Sequence, residues 1–141
     1  MGKYDHLISY VPRPDKPGED VSRDSLRKIA WMEDSFMPGA MYHEIMWYCA
    51  PREPGPPTHT HDFDEIIGFV GGDPEAPKEL NAVVRFFLGD EWYTFTKSVL
   101  IYVPAGMEHS PISIESVEKP FIHFSGGAAT GSYGKKETEE K

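Results

Sequence analysis

The chain has 141 residues and a formal net charge of −9. This length fits one domain with a hydrophobic core of its own. The acidic balance excludes nucleic acid and anionic membranes as expected partners, because both are bound through clusters of lysine and arginine.

Residues 1–35 are predicted to form an N-terminal arm. The stretch 11–18 contains three prolines, which exclude a regular helix or a central strand, and residues 20–29 are expected to form a short helix or only a turn. The first residues open no apolar run, so no signal peptide is expected. Apolar residues at the end of the arm need a surface to cover, on this chain or on a second subunit, and we expect a homodimer. These residues are Trp31, Met32, Phe36 and Met37.

Short apolar runs separated by glycine and proline predict an all-β domain over residues 36–126. Such spacing, with little helical periodicity, is typical of a sandwich or a barrel. Residues 127–141 are glycine-rich and then charged, which predicts a flexible C-terminal tail. The predicted strands cover 41–49, 65–70, 82–88, 91–96, 99–103 and 120–124.

The cysteine count and the lengths of the apolar stretches indicate the compartment. The single cysteine, Cys49, cannot form an intramolecular disulfide, which favours a reducing compartment. No apolar stretch approaches the roughly 20 residues of a membrane-spanning helix. We therefore expect a cytoplasmic protein.

Histidines and one glutamate gather around two turn-forming stretches. His59 and His61 are two residues apart, so on an extended strand both side chains project from one face. Glu65 has the same parity, and His109 follows a Pro-x-Gly turn at 104–106. Three imidazoles and one carboxylate suit one divalent transition metal, and Fe, Mn, Zn, Ni, Co and Cu all remain candidates. Glu65 could instead orient a histidine without touching the metal.

These stretches resemble the two motifs of the cupin family. His-x-His-x3-Glu-x6-Gly, from His59 to Gly72, is similar to the first motif. Pro-x-Gly-x2-His, from Pro104 to His109, is similar to the core of the second. The resemblance covers about residues 40–125 and implies a single-domain jelly-roll barrel, here with an N-terminal arm. It also implies one metal ion held by His59, His61, Glu65 and His109.

The resemblance implies a metal-dependent enzyme that acts on a small polar molecule. Cupins include dioxygenases, isomerases, decarboxylases and lyases, and the sequence does not choose among them. A non-catalytic module that binds a small molecule is the alternative, and a purely structural metal site is a third hypothesis. An enzyme is the hypothesis we favour, because four protein ligands leave one or two metal positions open for water or substrate.

Strand parity places three further candidates on the inner wall. His43, Tyr102 and His123 are predicted to lie near the metal, where they could transfer a proton or donate a hydrogen bond. Ordinary wall residues, or core histidines with a hydrogen-bond partner, are the alternative for all three. The same parity predicts an inner position for Ile45, Trp47 and Phe69.

Overall fold

The computed structural model describes residues 2–9 and 25–128, together with the backbone of 136–137. Its regular structure is almost entirely β, as predicted. The described residues form one short 3-10 helix, Asp5–Leu7, and eleven strands. The strands are β1 Leu26–Met32, β2 Tyr42–Tyr48, β3 Arg52–Gly55, β4 His59–Thr60, β5 Glu65–Gly71, β6 Glu79–Leu88, β7 Glu91–Lys97, β8 Val99–Val103, β9 His109–Val117, β10 Phe121–Gly127 and β11 Lys136–Glu137.

The strands form two antiparallel sheets. The first has the order β1-β2-β10-β5-β8, and the second has the order β11-β4-β9-β6-β7, with β3 paired to β9. Within the described residues the two sheets do not join into a closed barrel, so the jelly roll is an open sandwich. The functional site must therefore be sought between the sheets.

The core lies where the inner faces of the sheets meet. Strand β6 shows why its sequence forms a half-buried strand: alternate residues from Leu80 to Phe86 are buried, as a period of two requires. Phe86 contacts Phe69 of the opposite sheet with ring centroids 6.1 Å apart, and Phe69 contacts Phe121 at 6.4 Å. All three phenylalanines are 0% exposed, so packing is complete at this end of the sandwich.

The segment predicted as a short helix or turn is partly a strand, and that prediction was wrong for residues 26–29. β1 pairs antiparallel with β2, and its register shifts between Lys28 and Ala30. A bulge of this kind breaks the alternation of apolar residues, which hides the strand in the sequence. Trp31 is buried and contacts Phe36 at 5.5 Å, so it packs within its own chain.

Other sequence predictions for the termini fall largely outside the structure. The proline-rich stretch 11–18 lies outside the described residues, as does most of the predicted tail. The domain boundaries at residues 35 and 127 stay predictions. Three further strands, β3, β9 and β11, lie in segments for which no strand was predicted.

Candidate metal centre

The candidate ligands come from both sheets. His59 begins β4 and His109 begins β9, and these two residues are direct cross-strand partners. His61 follows β4, whereas Glu65 begins β5 in the other sheet. All four side chains are buried, with 1–3% of each residue exposed. The structure thus brings the four predicted residues to one place.

The four side chains converge on a small volume. One ring nitrogen from each of His59, His61 and His109 lies within 4.8 Å of the others. Glu65 Oε1 lies 3.4 Å from His61 Nε2 and 3.1 Å from His109 Nε2. Three buried histidines in this arrangement could hold a metal ion, and the carboxylate oxygen of Glu65 reaches the same position.

Backbone carbonyls fix the tautomer of two of the histidines. His59 Nδ1 lies 2.7 Å from the Pro57 carbonyl oxygen, and His109 Nδ1 lies 3.0 Å from that of Met107. A carbonyl can only accept, so each Nδ1 donates its proton and each Nε2 keeps its lone pair. In both cases the carbonyl belongs to the residue two positions earlier. This arrangement orients imidazoles for a metal before it binds.

Two buried atoms at the centre have no hydrogen-bond partner within the described residues: Glu65 Oε1 and His109 Nε2. Burial alone would raise the pKa of Glu65, but His109 and His61 outweigh it and lower this pKa to about 2. The carboxylate is therefore ionised at neutral pH, and its Oε1 lies 3.1 Å from His109 Nε2. Only a proton or a cation between the two atoms makes this contact attractive, so these residues fit a divalent cation.

A cavity of about 120 Å³ adjoins the candidate ligands between the sheets. It is smaller than the roughly 300–1,000 Å³ of sites for drug-sized ligands, so only a small molecule or part of one can enter. His123, Glu44, Tyr42, Tyr48 and Ser125 belong to its wall.

His123 is the one residue of the three predicted catalytic candidates that lines this cavity. Its ring stacks on Phe69 at 5.0 Å, and its Nδ1 lies 3.1 Å from the Gly68 carbonyl oxygen. Nδ1 therefore donates its proton to Gly68, and Nε2 keeps a lone pair. Burial lowers the pKa of His123, so the ring favours its neutral form. A neutral, oriented imidazole can accept a proton or a hydrogen bond.

The structure does not bring His43 or Tyr102 to the cavity, and their predicted inner position was wrong. His43 is exposed on β2, and Tyr102 is 58% exposed on β8. A hydrogen bond and charge interaction with Asp64 raise the pKa of Tyr102, but this contact lies at the surface.

The physical reason for the error is that β2, which carries His43, and β8, which carries Tyr102, are both apolar on both faces. The structure buries Tyr42, Met46 and Tyr48 and turns Ile45 and Trp47 outward. When both faces carry apolar side chains, alternation predicts a strand but not which face lies inside. Phe69 does lie inside, as predicted.

Sequence reasoning missed a part-buried charged pair of which one member, Glu44, lines the cavity. The Lys28 side chain is 3% exposed, and its Nζ donates to Glu44 Oε1 at 2.9 Å. The pair joins β1 to β2, and Glu44 lines the cavity. No local pattern could reveal it, because Lys28 lies in the segment interpreted as an arm. Removing one partner of such a pair leaves an uncompensated buried charge.

A second polar contact in the wall joins β2 to β10. The hydroxyl groups of Tyr42 and Ser125 form a buried hydrogen bond, and both residues line the cavity. The cavity thus combines a carboxylate, an imidazole and hydroxyl groups on a rigid sheet, which is suited to binding a polar molecule.

Comparison with known proteins identifies the fold. No family model and no curated protein matches the chain. An oxalate oxidase structure matches with a TM-score of 0.54 and 14% identity, covering 95% of this chain and 64% of its own. The polyketide cyclase RemF from Streptomyces resistomycificus matches at 0.53 and 13% identity, covering 96% and 88%. A putative mannose-6-phosphate isomerase from Ralstonia eutropha JMP134 matches at 0.50 and 13%, covering 81% and 94%.

The matched folds, together with this chain's own buried histidines, define the class of protein: a jelly-roll β-sandwich with a buried cluster of histidines. More particularly, the chain has the cupin fold, which confirms the predicted fold. At these identities the likeness shows the fold alone, and the chain spans 64% of the oxalate oxidase chain. In the described part of the chain, no helix is long and apolar enough to cross a membrane.

Proposed function

We propose that this protein is a metal-dependent cupin enzyme that acts on a small polar molecule. One divalent ion, of Fe, Mn, Zn, Ni, Co or Cu, would be held by His59, His61, Glu65 and His109. The observation that carries the proposal is the contact between the unpartnered Glu65 Oε1 and His109 Nε2, buried and 3.1 Å apart. This contact is attractive only with a proton or a cation between the two atoms, and a metal-binding protein uses both atoms as ligands.

The metal and the residues around the site would have separate roles. Lewis-acid chemistry, or redox chemistry with iron, would come from the bound ion. His123 Nε2 would accept a proton or a hydrogen bond from the substrate, because its Nδ1 is committed to Gly68. Lys28 Nζ would orient the Glu44 side chain through its hydrogen bond at 2.9 Å. The small cavity would exclude bulk water from the reacting atoms, which strengthens each of these interactions.

A dioxygenase, isomerase, decarboxylase or lyase would each fit this arrangement. The oxalate oxidase with the same fold, also solved with the substrate analogue glycolate, acts on a small acid. A non-catalytic cupin module that binds a small molecule is the second candidate. The positions of His123 and Glu44 on the cavity wall favour the enzyme, since binding alone does not require a proton acceptor beside the metal.

The assembly we propose is a cytoplasmic homodimer with no nucleic-acid or membrane partner. The surface that supports a dimer is not the predicted one, because Trp31 is buried in its own chain. Instead, Ile66 and Tyr102 are cross-strand partners on the outer face of β5 and β8, and Leu100 lies on the same strand as Tyr102. These side chains are 41%, 58% and 65% exposed, and a second copy could cover them.

Elemental analysis of protein purified without chelator or added metal tests the proposed metal. We expect about one equivalent of a divalent transition metal per chain in the unaltered protein. His109→Ala should lose the metal and stay folded. His43→Ala is the matched control, because His43 is exposed and does not line the cavity, and it should retain the metal. Full metal occupancy in His109→Ala would contradict the proposed metal site.

Turnover under metal exchange separates the enzyme classes. A Lewis-acid isomerase, decarboxylase or lyase should keep activity when the ion is replaced by another of similar size. A dioxygenase should require Fe(II) and consume oxygen. Tight ligand binding with no turnover under either condition would favour the non-catalytic module.

A further inference from the structure

A second, larger cleft of about 600 Å³ opens between the sheets beside the metal-side cavity. Tyr48 lines it from the first sheet, and Ile112 and Ile114 line it from the second. The segment 51–56 forms its rim. Tyr48 and Ile112 also line the smaller cavity, together with Pro56, so the two spaces adjoin. A molecule in the cleft would therefore have a route toward the candidate metal ligands.

Arg52 is the cationic group of this cleft. It is half-buried, lies opposite Ile114 on β9, and its guanidinium carbon is 5.7 Å from the centre of the Tyr48 ring. Among residues 2–9 and 25–128, no carboxylate lies within ion-pair distance of Arg52. Arg85 differs: it stacks over Trp92 at 4.5 Å and also reaches Glu115 at 3.9 Å. Glu53 also lines the cleft, but within the part of the chain that the structure describes Arg52 forms no ion pair with it or with any other carboxylate.

The surroundings hold Arg52 in place. Pro51 and Pro54 flank it in the sequence, and their fixed φ angles stiffen the segment. The contact with Tyr48 restrains the guanidinium plane. A restrained guanidinium loses less entropy on binding than a free surface arginine, and its planar fork matches an oxyanion with two hydrogen bonds.

We propose that Arg52 binds the anionic group of this protein's ligand, a carboxylate or a phosphate, while the remainder of the ligand extends toward the metal centre. The ligand would then be a small acid, bound at one end by Arg52 and at the other by the metal. This inference rests on the proposed function only for the end of the ligand that the metal would bind.

Tyr48 contributes a hydrogen-bond donor to the same site. Burial raises the pKa of Tyr48 to about 12, and Arg52 opposes this effect only in part. The hydroxyl group therefore stays protonated across the physiological range and can donate to an anion. A neutral molecule of equal size would gain neither the charge interaction with Arg52 nor the stronger hydrogen bonds that a charged acceptor makes.

Side-chain NMR of the metal-loaded protein tests the proposal without knowledge of the ligand. The Nε–H signals of the arginines would be followed while sodium acetate, and separately inorganic phosphate, is added. We expect a saturable shift of the Arg52 signal with a dissociation constant of about 1 mM, as suits one charge-assisted contact pair. The Arg85 signal should drift without saturation. The anion whose effect on the Arg52 signal saturates at the lower concentration identifies the anionic group of the ligand as a carboxylate or a phosphate.

Two variants make the result decisive. Arg52→Gln should abolish any saturable shift of the backbone amide signals next to residue 52, whereas Arg85→Gln should leave the saturable Arg52 shift unchanged. An Arg52 signal that responds no more than that of Arg85 to either anion would overturn the proposal and assign Arg52 to stacking on Tyr48 alone. Repeating the titration with metal-free His109→Ala separates the two proposals. Anion binding that persists there supports the Arg52 site even if the metal assignment fails.

Discussion

The interior between the sheets has two ends that are equally buried and differently built. At the apolar end, Phe69, Phe86 and Phe121 are 0% exposed, and the ring of Phe69 contacts both other rings. At the metal end, the candidate ligands are 1–3% exposed, yet Glu65 Oε1 and His109 Nε2 have no partner within the described residues. Burial at the first end stabilises the fold, whereas burial at the second costs free energy that a bound cation would offset.

The two ends are joined by the same pair of strands. β6 and β9 pair antiparallel, with Phe86 opposite Ile112 at the apolar end and Leu88 opposite His109 at the metal end. A well-packed strand pair therefore fixes where His109 lies. The two ends therefore differ in role. The apolar end stabilises the scaffold, and the scaffold holds polar side chains together that would otherwise stay apart.

The largest expected effect is a loss of stability at the apolar end. Phe86→Ala removes a fully buried ring and should lower the free energy of unfolding by about 3–5 kcal/mol. Urea denaturation measures the loss, and elemental analysis of the folded fraction should still find the metal. Phe87→Ala is the control. Phe87 lies on the opposite face of β6 from Phe86, is only half-buried and contacts Trp92 of β7. Equal losses in both variants would contradict the assignment of the core.

A smaller effect of a different kind is expected at the metal end. Glu65→Gln keeps the shape of the side chain and removes its charge, so the fold should persist while metal affinity falls by at least about 10–100-fold, the loss known for partners of metal ligands. Competition with a chromophoric chelator measures the affinity. An unchanged affinity would mean that the three histidines bind the metal alone, and that Glu65 has another role.

The sequence predicted the metal end better than the scaffold. The candidate ligands lie in two short motifs, and β5 and β8 follow from compact apolar runs, so local information suffices for both. β9 was missed because Pro111 and several serines interrupt the alternation of Ile112 with Ile114. The Lys28–Glu44 pair was missed because it depends on the pairing of β1 with β2, which no local pattern encodes.

The smallest expected effect tests His123, which lies where the two ends meet. Its ring stacks on Phe69 of the apolar end and lines the cavity of the metal end. Four influences act on its pKa besides burial: Glu44, Gly68 and Glu65 raise it, and Lys28 lowers it. Burial is the largest influence, so the pKa lies below the ordinary value of 6.5. Below pH 6.5 the unfolded chain therefore binds a proton at this residue more readily than the folded chain does.

The sign of the pH dependence follows from this difference in proton binding. The contribution of neutral His123 to stability is fully present above pH 6.5 and declines as the pH falls below that value. His123→Gln removes the titration, yet its amide can still donate to the Gly68 carbonyl. Denaturant unfolding of metal-free protein, from pH 8 to about pH 5.5, should therefore show the free-energy difference between the unaltered protein and His123→Gln shifting in favour of the variant at the acidic end. A difference that is constant with pH would show that His123 is protonated as easily in the folded protein as in the unfolded chain. His123 would then be a poor candidate for a neutral proton acceptor, and the cavity would favour the binding module over the enzyme.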